Sequence, residues 1–330
     1  MILDVVPDIH GHLGKLDAAL AALGYRKAQG RWQAPQEGRS LLFLGDLIDR
    51  GPDQREVVER VADLEEAGLA QRVLGNHEMN ALHWVMERDG APVRPHSDKN
   101  RFHHQAFLDA FAADPQGHRA TLDRLARAHL SIRHGRFVFV HAFWTPALEA
   151  RARYALGGTT WLDGLDALAR NPLFLDAAQP STGSPEGQAI DLMTKGPETA
   201  LPDGYALHLE HGIVRHAVRR AWWHQNAPTW RDASISVPHD AVLPDDAPPP
   251  IPGAGDVPED AIVVFGHYWM EDLRQGRPMP LLGGRHVCLD QGAGHGGQAP
   301  LAVLTLDTES AALPQTADGY VDPRALTVVR

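Results

Sequence analysis

Three times within the first 80 residues, a short apolar run ends in a glycine-flanked cluster of aspartate, histidine or asparagine. Ile2 to Val6 leads into Asp8-Ile9-His10-Gly11, and Leu41 to Leu44 leads into Gly45-Asp46-Leu47-Ile48-Asp49-Arg50-Gly51. Arg72-Val73-Leu74 leads into Gly75-Asn76-His77-Glu78. Single histidines repeat the arrangement later: His141 follows Phe137 to Val140, and Gly266-His267 follows Ile262 to Phe265. Between the runs the apolar period changes. Leu13, Leu16, Ala19, Leu20 and Leu23, then Val57, Val58, Val61 and Leu64, recur at helical spacing. Strands alternating with amphipathic helices predict an α/β fold, a parallel or mixed sheet with helices on its faces. Ligand crevices in such sheets lie at the carboxyl ends of the strands, so all these polar clusters are expected on one rim.

Further strands are expected at His286 to Leu289 and Leu301 to Leu306. After Asn80 the pattern is irregular, and Phe102 to Phe111 reads as an amphipathic helix. The nearby His96, His103 and His104 read as histidines of a polar loop in preference to a further metal site. A long insertion runs from about 145 to 258. It holds a Pro/Ser/Gly-rich loop, Gln179 to Gln188, and an extended tract, Leu243 to Glu259. Within it, Arg215 to Arg220 beside Trp222-Trp223 reads either as a platform for a base or phosphate or as a helix with a solvated basic face. Lys195 is a further substrate-contact candidate. The motifs span residues 8 to 290, so a single catalytic domain over 1–330 is expected, with a helical insertion at 81–135 and a cap region at 145–258.

The 330 residues carry a net charge of −11 and no dominant basic stripe, so no extended nucleic-acid surface is expected. The acidic balance leaves a phosphorylated substrate open, because bound divalent cations reverse the local field. The one cysteine, Cys288, excludes an intramolecular disulfide and reads as a small buried hydrophobe. Met1 to Val6 lacks a basic leader and no apolar run is long enough to span a bilayer, so neither signal peptide nor membrane segment is expected. The cytoplasm is the expected location; the oligomeric state stays open.

Asp8 and His10 are two apart, so an extended backbone points them to the same side. Carboxylate, imidazole and amide oxygen together suit manganese, iron, zinc or nickel. Two such ions about 3.5–4 Å apart need a shared ligand, for which Asp46 is the natural carboxylate. Glu78 reads as a first-turn helix acid favoured by the dipole, not as a catalyst.

In order, D-x-H-G, G-D-x-x-D-R-G, G-N-H-[DE], a lone strand-end histidine and G-H resemble the calcineurin-like metallophosphoesterases. The Asp49-Arg50-Gly51 extension resembles the phosphoprotein-phosphatase and diadenosine-tetraphosphatase branch, as does Leu289-Asp290-Gln291-Gly292-Ala293 followed by Gly296-Gly297. The resemblance implies a mixed β-sandwich flanked by helices, with helical and loop insertions. It also implies two divalent ions, manganese first, with iron, zinc, nickel or cobalt as alternatives. Asp8, His10 and Asp46 would hold one ion; Asp46, Asn76, His141 and His267 would hold the other. A water shared by both ions would be the nucleophile. His77 would protonate the leaving oxygen, oriented by Asp49, and Arg50 would grip the phosphoryl group. Two carboxylates against two divalent cations leave a net positive pocket for phosphate.

The chain departs from the family pattern after the lone histidine. His141-Ala142-Phe143-Trp144 replaces a frequent glycine pair, so a bulky aromatic rim is expected there. A second phosphate-gripping arginine is not assigned; Arg153, Arg215 and Arg219 are candidates. The leading functional reading is hydrolysis of a phosphate monoester or anhydride in a nucleotide or dinucleoside-polyphosphate-like substrate. Trp144, Trp161, Trp222, Trp223 and Trp230 are available to stack bases. The alternatives are a protein serine/threonine phosphatase and a non-catalytic metal-containing binding module.

Overall fold

Two β-sheets packed face to face form the centre of the protein, whose computed structural model describes residues 1–179, 182–208 and 214–330. The first sheet has the order Leu326–Val329, Leu301–Asp307, Ile2–Val6, Arg39–Phe43, Ala70–Arg72. Its last three strands run parallel, and Leu301–Asp307 runs antiparallel to Ile2–Val6. The second sheet has the order Val287–Cys288, Ile262–Phe265, Phe137–Val140, Ser131–His134. Its first three strands are parallel and Ser131–His134 pairs antiparallel.

Side-chain alternation builds the sandwich. Leu3, Val5, Leu42, Phe137, Phe139, Ile262, Val264, Leu304 and Leu306 share one core between the sheets. Their neighbours Val6, Leu41, Phe43, Val138, Val140, Val263 and Phe265 turn outward into a second core covered by helices and loops. Both faces are apolar, which is why these strands read as unbroken hydrophobic runs. The exception is Asp4, buried mid-strand. Arg39 Nε and Nη2 donate to it at 2.7 and 2.8 Å, and Tyr25 and Thr305 hydroxyls donate at 2.9 and 2.6 Å, so the carboxylate is compensated.

Helices α1 (Leu13–Leu23) and α2 (Gln54–Glu66) follow the first two strand-end motifs, and α3 (Asn76–Val85) begins inside the third. Helix α4 (Asp98–Ala110) covers the stretch expected to be helical from Phe102 to Phe111, starting one turn earlier because Ser97 caps the Asn100 amide. Capping residue followed by proline starts several later helices, three of them long. Asp114, Thr145 and Ser184 accept from the amides of Gly117, Leu148 and Gly187, opening Pro115–Leu125, Pro146–Ala155 and Pro185–Lys195.

The expected loop Gln179 to Gln188 includes residues 180–181, outside the described residues, and its end is already helical from Pro185. The basic run is not a helix. Val214–Arg215 and Ala217–Arg220 are strands, the latter pairing with Glu198–Ala200 and Ser234–Ile235. Cross-strand hydrogen bonds and the period-two burial of Val218 and Arg220 outweigh local helix propensity there. The tract 243–259 is irregular apart from a short turn of helix at Ala254–Asp256. Cys288 is buried and unpaired. Among the described residues, no helix is long and apolar enough to cross a membrane.

Candidate metal centre

The parallel strands of both sheets end at one edge, and the chain there adopts backbone conformations that side chains normally avoid. His10, Asp46, Asp49, Arg50 and His267 all have positive φ, from 50° to 70°. Each such residue costs on the order of 1 kcal/mol and persists only where its surroundings over-determine it. Glycine supplies the clearance: a Cβ on Gly75 would collide with Asp46 Oδ1, and one on Gly266 with Asp8 Oδ1.

These loops bring Asp8, His10, Asp46, Asn76, His141 and His267 into one buried cluster. His10 Nδ1 donates to the Ile48 carbonyl at 2.8 Å, which turns Nε2 toward Asp46 Oδ2, 3.6 Å away. His141 does the same through the Leu44 carbonyl at 2.6 Å, with Nε2 3.4 Å from Asp46 Oδ2 and 3.2 Å from Asn76 Oδ1. His267 Nδ1 lies 2.8 Å from Asn76 Oδ1. The His267 amide donates to both Asp8 oxygens at 3.2 Å. Potential ligand atoms form two sets, each within 4.8 Å: His10, Asp46 and His77, and Asp46, His141 and His267. Asp46 belongs to both.

The electrostatics of the cluster ask for cations. His10 Nε2 and His267 Nε2 are buried without hydrogen-bond partners. Burial, then the Arg50 charge, holds His10 well below the ordinary imidazole range; burial, then Arg219, does so for His267. Both are therefore neutral, the form that ligates metals. Burial and the neighbouring Asp290 push Asp8 well above the carboxylate range. Burial opposes ionisation of Asp46 too, but His141 and then His77 pull it far down. His141 is lowered by burial yet raised overall to about 10, because the Asp46 carboxylate faces it. A proton there does what a divalent cation between the same atoms does better: it separates a lone pair from a carboxylate. The donor set of carboxylates, imidazoles and an amide oxygen fits borderline-hard divalent ions.

Around this cluster stands a second tier of groups. His77 Nδ1 donates to Asp49 Oδ2 at 2.6 Å, leaving Nε2 4.0 Å from Asp46 Oδ2. Arg50 is exposed and its guanidinium lies 3.9 Å from the Trp269 ring. Glu78 is in the first turn of α3, as expected of a dipole-favoured acid, but its carboxylate is fully engaged. It accepts from the amides of Asp46, Leu47 and Gly75 at 2.8, 2.7 and 3.0 Å. Asp290 is buried and accepts from the Trp269 and Gly292 amides, each at 2.9 Å.

Several expectations need correction. Phe143 and Trp144 do not form an aromatic rim beside His141. Both are buried, and Trp144 Nε1 donates to Glu149 at 2.5 Å, because the chain turns into the helix-covered core after Ala142. Trp222 and Trp230 are likewise packed inside, and Trp161 lies beside His129 in a separate cleft with Arg124 and Arg127. An aromatic residue that does lie at the rim, against Arg50, is Trp269, which no sequence pattern singles out. His104 is buried and bonded to Asp49, not a polar-loop residue, whereas His96 is exposed in the loop before α4, as expected, with its ring on Trp84. Lys195 is held by Asp191 at 2.5 Å and Arg153 by Glu149 at 3.2 Å, each within its own helix. Arg215 pairs with Glu198 at 2.5 Å. Of the three arginine candidates, Arg219 is the one whose charge bears on both His267 and Arg50.

Comparison with known proteins places this rim in context. Over 94 residues the chain is 40% identical to the asymmetrical bis(5′-nucleosyl)-tetraphosphatase PrpE of Bacillus subtilis (strain 168), covering 28% of this chain and 37% of that protein. Over 159 residues it is 33% identical to a symmetrical bis(5′-nucleosyl)-tetraphosphatase of Vibrio cholerae, covering 46% of this chain and 52% of that protein. The chain thus matches about half or less of these relatives' length. The crystal structure of a point mutant of a cold-active protein tyrosine phosphatase superposes with a TM-score of 0.50 at 16% identity, over 92% of this chain and 74% of that one, and shares the fold. The profile that spans more than half of the molecule is that of the calcineurin-like phosphoesterases, over residues 1–183. Those residues carry every strand-end motif up to His141, and the chain belongs to the calcineurin-like phosphoesterase family.

Proposed function

We propose that this protein is a metal-dependent phosphohydrolase that cleaves a phosphate ester or anhydride at the cluster around Asp46. The observation that carries this reading is the Asp46 carboxylate itself, common to both sets of ligand atoms and faced by imidazole nitrogens whose other nitrogens are tied to carbonyls. Asp8, His10 and Asp46 would hold one divalent ion, and Asp46, Asn76, His141 and His267 the other. Manganese is the first choice of metal. The two ions, when bound, supply Lewis acidity toward the phosphoryl group and acidify a water.

The chain's own groups do the rest. Arg50, exposed at the rim, offers a planar fork to the phosphoryl oxygens, and the Arg219 charge, which bears on His267 and Arg50, adds to the positive field. Trp269 supports the Arg50 guanidinium and keeps it facing the site. His77 holds a proton at Nε2 for the leaving oxygen, with Nδ1 fixed by Asp49.

A nucleotide or dinucleoside-polyphosphate-like substrate fits best. The Bacillus subtilis and Vibrio cholerae relatives are tetraphosphatases of that kind, and a cleft of about 460 Å³ is lined by Trp269, whose ring carries the Arg50 guanidinium. Its far wall, Ile235 to Pro238, comes from the 145–258 segment, which supports reading that segment as a cap on a single catalytic domain, with 81–135 a second, helical insertion. The test is a panel of an aryl phosphate, diadenosine tetraphosphate, a phosphopeptide and a 5′-phosphorylated oligonucleotide, each with Mn²⁺ and with chelator. Turnover of diadenosine tetraphosphate that chelator abolishes supports the assignment. Turnover of phosphopeptide alone replaces it with a protein phosphatase, and no turnover with any divalent metal replaces it with a binding module.

A further inference from the structure

Asp49 serves two histidines. His77 Nδ1 donates to its Oδ2 at 2.6 Å, and His104 Nδ1 donates to its Oδ1 at 2.8 Å. Among the described residues no other side chain donates to either oxygen. His104 comes from α4, 55 residues further along the chain. It is buried, with its ring stacked on Phe107 at 5.0 Å and tilted against Trp84 at 5.7 Å, so it cannot swing away. Its Nε2 has no partner among the described residues, so the bond to Asp49 is the one polar contact that ring makes with them.

An aspartate holding a histidine by one oxygen can still turn its carboxylate plane. Here the backbone end is pinned by the Asp49 amide donating to Gln54 Oε1 at 2.6 Å, and the carboxylate end by His104. Both ends fixed, Oδ2 has one direction left, and that direction sets the tilt of His77. The consequence is an Nε2 pointed at the Asp46 side of the cluster. Burial pushes the Asp49 acid up, but the bonds from His104 and then His77 bring it to about 2, so it stays an acceptor for both rings.

We propose that His104 is a positioning residue for the Asp49–His77 pair: it locks the Asp49 carboxylate so that His77 Nε2 meets the leaving oxygen. This rests on reading His77 as the general acid. It also gives the 81–135 segment a part in the chemistry, because α4 carries the lock.

The experiment compares three variants on two esters that differ in the leaving group, phenyl phosphate and p-nitrophenyl phosphate, with Mn²⁺ and with bound metal counted on each preparation. His104→Leu and His104→Gln have no donor where Nδ1 stood; His104→Asn places its amide N–H there. Displacing an acid slows the poor leaving group most, so Leu and Gln should lower kcat on phenyl phosphate about 10-fold or more and on p-nitrophenyl phosphate less than about 3-fold. KM should stay within about twofold, since binding is untouched. Asn should recover phenyl phosphate turnover to within about 3-fold of wild type. Should Leu fail to fold, the Gln and Asn pair carries the same comparison. Equal losses on the two esters, no loss, or an Asn variant no better than Gln overturns the proposal. If the wild type hydrolyses only diadenosine tetraphosphate, the three variants are compared on that substrate, where Leu and Gln should lose about 10-fold and Asn recover to within about 3-fold. If it hydrolyses none of these phosphates, it is the phosphohydrolase reading that fails, and this role falls with it.

Discussion

The Glu78 carboxylate accepts the Asp46 amide at 2.8 Å, so a helix acid from the third strand-end motif holds open the loop of the second. It also takes the amides of Leu47 and Gly75. This bracing lets Asp46 keep a φ of 51° and present its carboxylate to both halves of the cluster. Glu78→Gln keeps the shape but turns an amide N–H₂ toward these amides. We expect a loss of about 3 kcal/mol in metal-free denaturant unfolding, and reduced metal uptake. An unchanged midpoint would remove Glu78 as the brace.

Asp46→Asn tests the shared ligand directly. The folded variant should retain well below two equivalents of metal by elemental analysis and show background hydrolysis only. Two full equivalents in the variant would mean that the ions sit elsewhere.

His77→Ala should leave the metal content unchanged and lose turnover by roughly 100-fold on phenyl phosphate, with a smaller loss on p-nitrophenyl phosphate. A loss independent of the leaving group contradicts proton donation by His77.

Trp222 and Trp161 look alike in sequence and differ in the fold. Trp222 is 1% exposed among Phe143, Phe265 and His286, whereas Trp161 is 36% exposed. Trp222→Ala should cost about 3–5 kcal/mol in unfolding free energy, and Trp161→Ala clearly less, about 1–2 kcal/mol. Equal costs would contradict the packing described.

His83 gives a pH signature remote from the cluster. Burial, then the Lys195 charge, holds it at about 3, and Nε2 donates to the Phe174 carbonyl at 3.1 Å. The unfolded chain takes up a proton below about pH 6.5 that the folded chain refuses. Stability present above that pH is therefore lost as pH falls toward 3, by about 2 kcal/mol at pH 5. Unfolding free energies at pH 7.5 and 5 should differ less in His83→Phe by about that amount. The same pH difference in both proteins would show that His83 does not carry it.

Much of the molecule is legible in one dimension. Asp8, His10, Asp46, Asn76, His141 and His267 are all readable because each comes within a few residues of the end of an apolar strand. Parallel strands that end together must deliver their next few residues to one edge. The sandwich strands are readable because they are apolar on both faces. Ser131–His134 is not, since its mixed Ser-Ile-Arg-His sequence becomes a strand only by pairing with Phe137–Val140.

What only the folded chain decides are contacts between residues far apart in sequence whose types allow many partners. A buried tryptophan and one set beside Arg50 are the same letter; packing sent Trp144 and Trp222 inward and left Trp269 against the guanidinium. His104 sits in a polar stretch that local pattern assigns to solvent, and becomes the second donor to Asp49 because α4 lies over the second strand-end loop. Strand-end position is local and survives in the sequence. The choice of which side chain meets which across the rim is made by packing and hydrogen bonding in three dimensions, and a one-dimensional pattern holds no record of it.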